Sequence, residues 1–177
     1  MPPFPQTPSQ TVGPYFAYGL TPEQYGYDFK SLVNNYLVSN STDDQVIKIT
    51  GQVFDGDHNV IPDAMIEFWQ FDGETWKIGR HGTGTAMDHR FEFFMQKPKS
   101  VNGQAPSIPV IVFMRGQLIH AYTRIYFEDE AILNASDEVI QSVPPARRHT
   151  LIAHKNEDGY EFNIHMQGEH ETVFFAI

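Results

Sequence analysis

The stretch VIKITGQVFDGDHNVIPDAMIEFWQ, residues 46–70, decides the fold. From Val46 apolar and polar side chains alternate: Ile47, Ile49 and Val53 fall on one face, Lys48, Thr50 and Gln52 on the other. A period of two is the signature of a strand with one face buried. The turn formers Asp55, Gly56, Asp57 and Asn59 follow, and alternation resumes from Ala64 to Gln70 with Ile66 and Phe68 opposite Glu67. Two such strands around one turn predict a β-hairpin.

Downstream the same pattern repeats. Phe91, Phe93 and Met95 alternate with Arg90 and Glu92, and Val110 to Met114 is a continuous apolar run that turns at Arg115 and Gly116 into Leu118 to Phe127. One short helix is expected after Ser136, because Asp137 and Glu138 suit a first turn, and Pro144 and Pro145 limit it to about two turns. His149 to His154, the turn at Asp158 and Gly159, Tyr160 to Met166 and Thr172 to Ile177 complete the series of short strands. The expectation is an all-β chain, an antiparallel β-sandwich with short helical segments.

Upstream, residues 1–45 read differently. Pro2, Pro3, Pro5, Pro8, Pro14 and Pro22 favour extended backbone, while Tyr15, Phe16, Tyr18, Tyr25, Tyr27, Phe29 and Tyr36 carry more aromatic area than a solvated tail needs. The division expected is an extended, interface-forming N-terminal arm over residues 1–45 and a β-sandwich domain over 46–177. Exposed aromatic surface on the arm predicts obligate association.

Charge and composition exclude several functions. Of 177 residues, 12 are Lys or Arg and 22 are Asp or Glu, a formal charge of −10, which disfavours nucleic acid and anionic membranes as partners. There is no cysteine, hence no disulfide, thiolate metal site or cysteine nucleophile. No Lys or Arg precedes Lys30 and no apolar run approaches the roughly 20 residues that a bilayer requires, so a cytoplasmic protein is expected.

Motifs for chemistry are sparse. Gly82 and Gly84 lie between strand signals rather than at the start of a helix, and neither Ser107 nor Ser142 has the flanking glycines of a nucleophile elbow. Of the eight histidines, no two stand at the i, i+2 spacing that aims two imidazoles at one ion. His165, Glu169 and His170 form the densest group, but alternation about Phe162, Ile164 and Met166 places His165 on a polar face; His81 and His89 flank a Gly/Thr loop. Arg115 stands out, because a hairpin tip holds its guanidinium on a rigid base suited to a carboxylate; a solvated turn arginine is the plainer reading.

Three segments carry a family resemblance: TPSQTVGPYFAYGL at 7–20, the hairpin segment from Thr50 to Gln70, and the C-terminal stretch from TRIYFEDEA at Thr123 through RRHTLIA to QGEHETVFF. Together they resemble the intradiol ring-cleavage dioxygenases, and within them the alpha-type chains of the heteromeric members. The resemblance implies a prealbumin-like sandwich and a ferric centre, Fe(III), held by two Tyr and two His of a partner beta subunit. It further implies opening of protocatechuate (3,4-dihydroxybenzoate) by O2 to 3-carboxy-cis,cis-muconate.

This chain departs from the ligand pattern of the catalytic subunits: the family's His-x-His strand falls on Ser107, Ile108 and Pro109, and a ligating Tyr falls near Val101. The resemblance therefore assigns no metal ligand and no catalytic residue to this chain, which alone is expected to be inactive. It assigns one wall of the active site to Thr11, Gly13, Pro14 and Tyr15 of the arm and to Arg115. The segment Phe71 to Ile78 is shorter than is usual in the family. Alternatives are a non-enzymatic prealbumin-like binding or scaffold module, and an autonomous metalloenzyme using His165, Glu169 and His170. A neighbouring gene for a chain bearing two Tyr and two His would favour the dioxygenase.

Overall fold

A computed structural model of the chain describes residues 15–38, 46–71 and 74–176. It is mostly β. The strands are β1 (Tyr36–Leu37), β2 (Val46–Gly51), β3 (Val53–Phe54), β4 (Met65–Phe71), β5 (Trp76–Gly82), β6 (Phe91–Gln96), β7 (Ser107–Phe113), β8 (Ala121–Phe127), β9 (Ile152–Asn156), β10 (Gly159–Glu161) and β11 (Ile164–His165). Among the described residues three short α-helices accompany them: α1 (Tyr15–Leu20), α2 (Ala131–Asn134) and α3 (Glu138–Ser142). None is long and apolar enough to cross a membrane.

Nine strands form one sheet in the order β1-β6-β2-β10-β9-β8-β7-β4-β5, and β3 pairs with β11 apart from it. The sheet curls until its ends nearly meet. Arg80 N on β5 donates to Asn34 O and Phe94 N on β6 donates to Asn35 O, both at 2.9 Å, so the segment leading into β1 bridges the two edges. Gly79 makes this closure possible, since a Cβ there would run into the Leu37 side chain. The sheet is thereby nearly closed into a barrel.

The core fills the curl. Phe68 of β4 stacks on Phe93 of β6 with ring centroids 3.9 Å apart, while Phe91, Ile66, Val110 and Ile125 are fully buried around them. Each such side chain contributes roughly 1.5–3 kcal/mol by leaving water. A second, smaller cluster of Tyr126, Ile140, Val143 and Leu151 packs the helical segments onto the other face of β8. Asp137 ties it together: Oδ1 accepts from Val139 N, Ile140 N and Tyr126 Oη, and Oδ2 accepts from Ala105 N at 2.9 Å. The helix expected after Ser136 is thus α3, capped by Asp137 and ended before Pro144 and Pro145.

Several expectations are corrected. The 46–70 stretch does not pair on itself as one hairpin: β2 pairs with β6 and β10, whereas β4 pairs with β5 and β7. Only the tip closes, with Asp55 N donating to Asn59 O and Ile61 N to Val53 O. Pro62 has no N–H with which to continue, and the chain crosses to the other half of the sheet. The sheet is also not purely antiparallel, since β1–β6, β2–β10 and β8–β9 run parallel. Residues 172–176 form no strand: Phe175 N donates to Tyr122 O, but Val173 is held by the Thr123 and Thr150 hydroxyls instead of a ladder. Pro145–Leu151 is a 3₁₀ segment, which delays the strand expected from His149 until Ile152. The strand after the Arg115 turn begins at Ala121, leaving Leu118 and Ile119 exposed at the tip.

Candidate functional site

Arg115 lies where sequence reasoning put it, in the turn between β7 and β8. Gly116 takes φ 87° and Gln117 Oε1 accepts from Met114 N at 3.1 Å, which fixes the tip. The Arg115 Nε pairs with Asp63, the residue after Pro62, so the guanidinium is aimed by a carboxylate from the neighbouring loop. The Arg115 side chain remains 63% exposed against 18% for Asp63.

The arm reaches the same corner. Gln24 donates to Gly82 O at 2.7 Å and Thr85 Oγ1 at 2.8 Å, and its Oε1 accepts from Gly82 N, clamping the segment after α1 to the end of β5. Burial pushes the Tyr25 phenol above its ordinary value, opposed by a backbone hydrogen bond from Gly84 and reinforced by neighbouring Tyr18 and Asp63. Tyr18, Tyr27 and Phe29 continue from Tyr25 as a run of ring contacts that stays largely exposed. Tyr15 is the first residue of α1. Thr11, Gly13 and Pro14 precede it and lie outside the described residues.

The positions that the family resemblance set against the ligands of the catalytic subunits also converge. Val101, Ser107 and Pro109 line one cavity of about 280 Å³ with Phe71, Trp76 and Arg124. Its donor set does not fit a ferric ion, because valine and proline side chains have no donor atom and a neutral serine hydroxyl is a poor substitute for phenolate or imidazole. Around this cavity the β4–β5 hairpin is tight, with Phe71 paired to Trp76.

His165 and His170 do approach, with ring centroids 6.1 Å apart, and His58 joins them at 6.0 and 5.8 Å. Yet no group of three or more His, Asp or Glu among the described residues is arranged to hold a metal ion. Burial, reinforced by the neighbouring His170 and His58, lowers the His165 pKa. His81, which sequence reasoning paired with His89, is pushed down to about 4 by burial, partly offset by Glu92. Two features had no sequence signal. Glu67 reads as the outward residue of its strand but is buried against Arg80 and Trp69, and Arg124 sits unremarked inside β8.

No family model matches the chain. It is 48% identical over 192 aligned positions to the protocatechuate 3,4-dioxygenase alpha chain of Burkholderia cepacia, covering 97% of this chain and 98% of that one. The alpha chain of the same name from Pseudomonas putida is 36% identical over 197 positions, covering 97% and 96%. Both alignments are longer than the 177 residues here, so each relative carries residues that this chain lacks. Among solved structures, the dioxygenase domain of a carbohydrate-binding fusion from Streptomyces sp. SirexAA-E superposes with a TM-score of 0.57 at 22% identity, over 79% of this chain and 91% of that one. That likeness shows a shared fold. On the near full-length identity to the two curated relatives, the chain belongs to the protocatechuate 3,4-dioxygenase alpha-chain family.

Proposed function

We propose that this chain is the non-iron-ligating subunit of a heteromeric ferric intradiol dioxygenase, which opens protocatechuate with O2 to 3-carboxy-cis,cis-muconate. The Fe(III) belongs, on this reading, to a catalytic beta subunit with two Tyr and two His ligands. The supporting observation is the cavity lined by Val101, Ser107 and Pro109, which offers no ligand set for iron. The name shared by the two curated relatives, an alpha chain, points to a partner of a different kind.

Within the complex the chain supplies one wall of the catalytic pocket. Arg115 binds the substrate carboxylate, and Thr11, Gly13, Pro14 and Tyr15 approach from the arm. Support comes from the Gln24 clamp, which carries the described part of the arm to the Asp63 and Arg115 corner. Residues 1–45 serve as the interface-forming arm and 46–177 as a prealbumin-like sandwich, its two halves meeting where Phe68 stacks on Phe93. Exposed Tyr27, Phe29, Leu32, Leu118 and Ile119 are the apolar surface that a partner would cover. A cytoplasmic location is part of the same reading, in keeping with the absence of cysteine.

Iron content and visible absorption test it. The chain purified alone is expected to be colourless and iron-free, and co-expression with a chain bearing two Tyr and two His is expected to give an iron-loaded complex with tyrosinate-to-iron colour. Stoichiometric iron in the chain alone would refute the assignment.

A further inference from the structure

Arg124 is a cation without a carboxylate partner among the described residues. It projects from β8 into the cavity lined by Phe71, Trp76, Val101 and Pro109, and its Nε donates to Tyr122 Oη at 3.1 Å. A guanidinium carries five donors, and no carboxylate among the described residues lies within 4.0 Å of this one. Arg80, Arg90, Arg115 and Arg147 each have a carboxylate partner, and Arg148 donates to two backbone carbonyls. In a chain of net charge −10, a cation held in a cavity wall by two phenols, Tyr122 and Tyr126, and by no carboxylate of its own is unusual. Lys99 stands on the rim of the same cavity, exposed and likewise without a carboxylate within 4.0 Å among the described residues.

The remaining wall is aromatic. Phe71 and Trp76 face each other across the end of the tight β4–β5 hairpin with ring centroids 5.2 Å apart, and they remain 38% and 59% exposed. Large aromatic surface left wet beside a half-buried cation suits a ligand with a flat apolar face and a negative end. The cavity's size, about 280 Å³, falls just under the roughly 300–1,000 Å³ of sites for drug-sized molecules, which limits the occupant to about one ring.

We propose that this cavity is an iron-free binding site for a small aromatic carboxylate, its negative end held by Arg124 and Lys99 and its ring packed on Phe71 and Trp76. The site lies on this chain alone and is distinct from the corner where Arg115 is oriented by Asp63. It does not depend on where the iron resides.

Benzoate is the probe, titrated into the full chain purified alone and, separately, together with its partner. Trp69 and Trp76 are the two tryptophans of the sequence and their rings lie 6.3 Å apart, so emission from the chain alone reports the cavity. Saturable quenching is expected, with saturation transfer from protein to benzoate in NMR, and Arg124→Gln is expected to weaken binding at least about tenfold, the loss of one charge-assisted pair. Should Arg124→Gln fail to fold, Val101→Phe at the exposed rim carries the test by filling the cavity, with the same loss expected. No saturable binding in the millimolar range, unchanged affinity in a folded variant, or acetate binding as tightly as benzoate overturns the proposal. Iron content and colour are read independently, so failure here and failure of the subunit assignment remain distinguishable.

Discussion

Lowering the pH from 7 to 5 is expected to destabilise the folded chain by about 2 kcal/mol through one side chain, His81. Its ring lies on β5, edge-on to Phe93 at 6.2 Å, and its Nδ1 accepts a hydrogen bond from Glu92 N at 3.3 Å. An imidazole that accepts at Nδ1 is neutral, and burial holds it so by lowering the pKa from 6.5 to about 4 against the weaker pull of Glu92. In the unfolded chain the same group titrates near 6.5. Between those two values the unfolded state binds a proton that the folded state refuses, so stability falls as pH drops through 6.5 and levels off below about 4. Linkage puts the loss at about 2 kcal/mol by pH 5 and about 3 kcal/mol at the acid limit. The lowered His165 adds in the same direction, while the depressed carboxylates of Asp55, Glu128 and Asp129 act at lower pH. The His81 share is therefore isolated by comparison with His81→Gln, whose amide oxygen still accepts from Glu92 N but does not titrate. Urea unfolding at pH 7 and pH 5 measures both proteins, and the wild type is expected to lose about 2 kcal/mol more than the variant. Equal losses would show that His81 is solvated enough to protonate in place, and the reasoning from burial would fail.

Replacing Arg115 with Ala is expected to raise the KM of the heteromeric enzyme for a carboxylated catechol about tenfold, with kcat changed far less, since a charge-assisted contact contributes roughly 1.5–3 kcal/mol. An unchanged KM in steady-state oxygen uptake would remove Arg115 from the site. Asp137→Ala is expected to cost about 3 kcal/mol or more in urea unfolding, because it removes the α3 cap and orphans Ala105 N and the Tyr126 hydroxyl together. A loss within 1 kcal/mol, the ordinary value of an exposed cap, would mean that water replaces those contacts.

What the sequence disclosed and what it withheld divide along physical lines. Alternation at Phe91, Phe93 and Met95 predicted β6 and its buried face, because the pleat of a strand is a local property. Asp137 announced α3 for the same reason: a cap acts within three residues. Pairing is not local. Nothing between residues 46 and 70 says that β2 seeks β6 and β10 while β4 goes to β5 and β7, and the turn between them looks like an ordinary hairpin loop. Polarity was misleading at Glu67, whose partner Arg80 lies on the adjacent strand, so a buried ion pair read as an outward face. The turn that carries Arg115 was legible because a hairpin tip is a conspicuous setting, whereas the surroundings of Arg124 became visible only once the fold placed Phe71 and Trp76 beside it.

The pairing of Arg115 with Asp63 bears directly on whether Arg115 can serve a substrate. If the ion pair were buried, a ligand carboxylate would have to replace an established partner in low dielectric, at a cost of several kcal/mol. Here the guanidinium side is 63% exposed, and exposed pairs contribute roughly 0–1 kcal/mol. Asp63 contacts the Nε of a group with five donors, so its effect is to orient the side chain rather than to saturate it. A second carboxylate arriving from solvent can engage the terminal nitrogens while Asp63 keeps its own. Covering the corner with a partner chain would lower the local dielectric and strengthen both contacts. The exposed Leu118 and Ile119 beside Arg115 are the apolar surface on which such a cover would rest. On the proposed reading, assembly and substrate recognition would be one event at this hairpin, and an Asp63→Asn variant, which releases the guanidinium without removing it, is expected to lose less substrate affinity than Arg115→Ala.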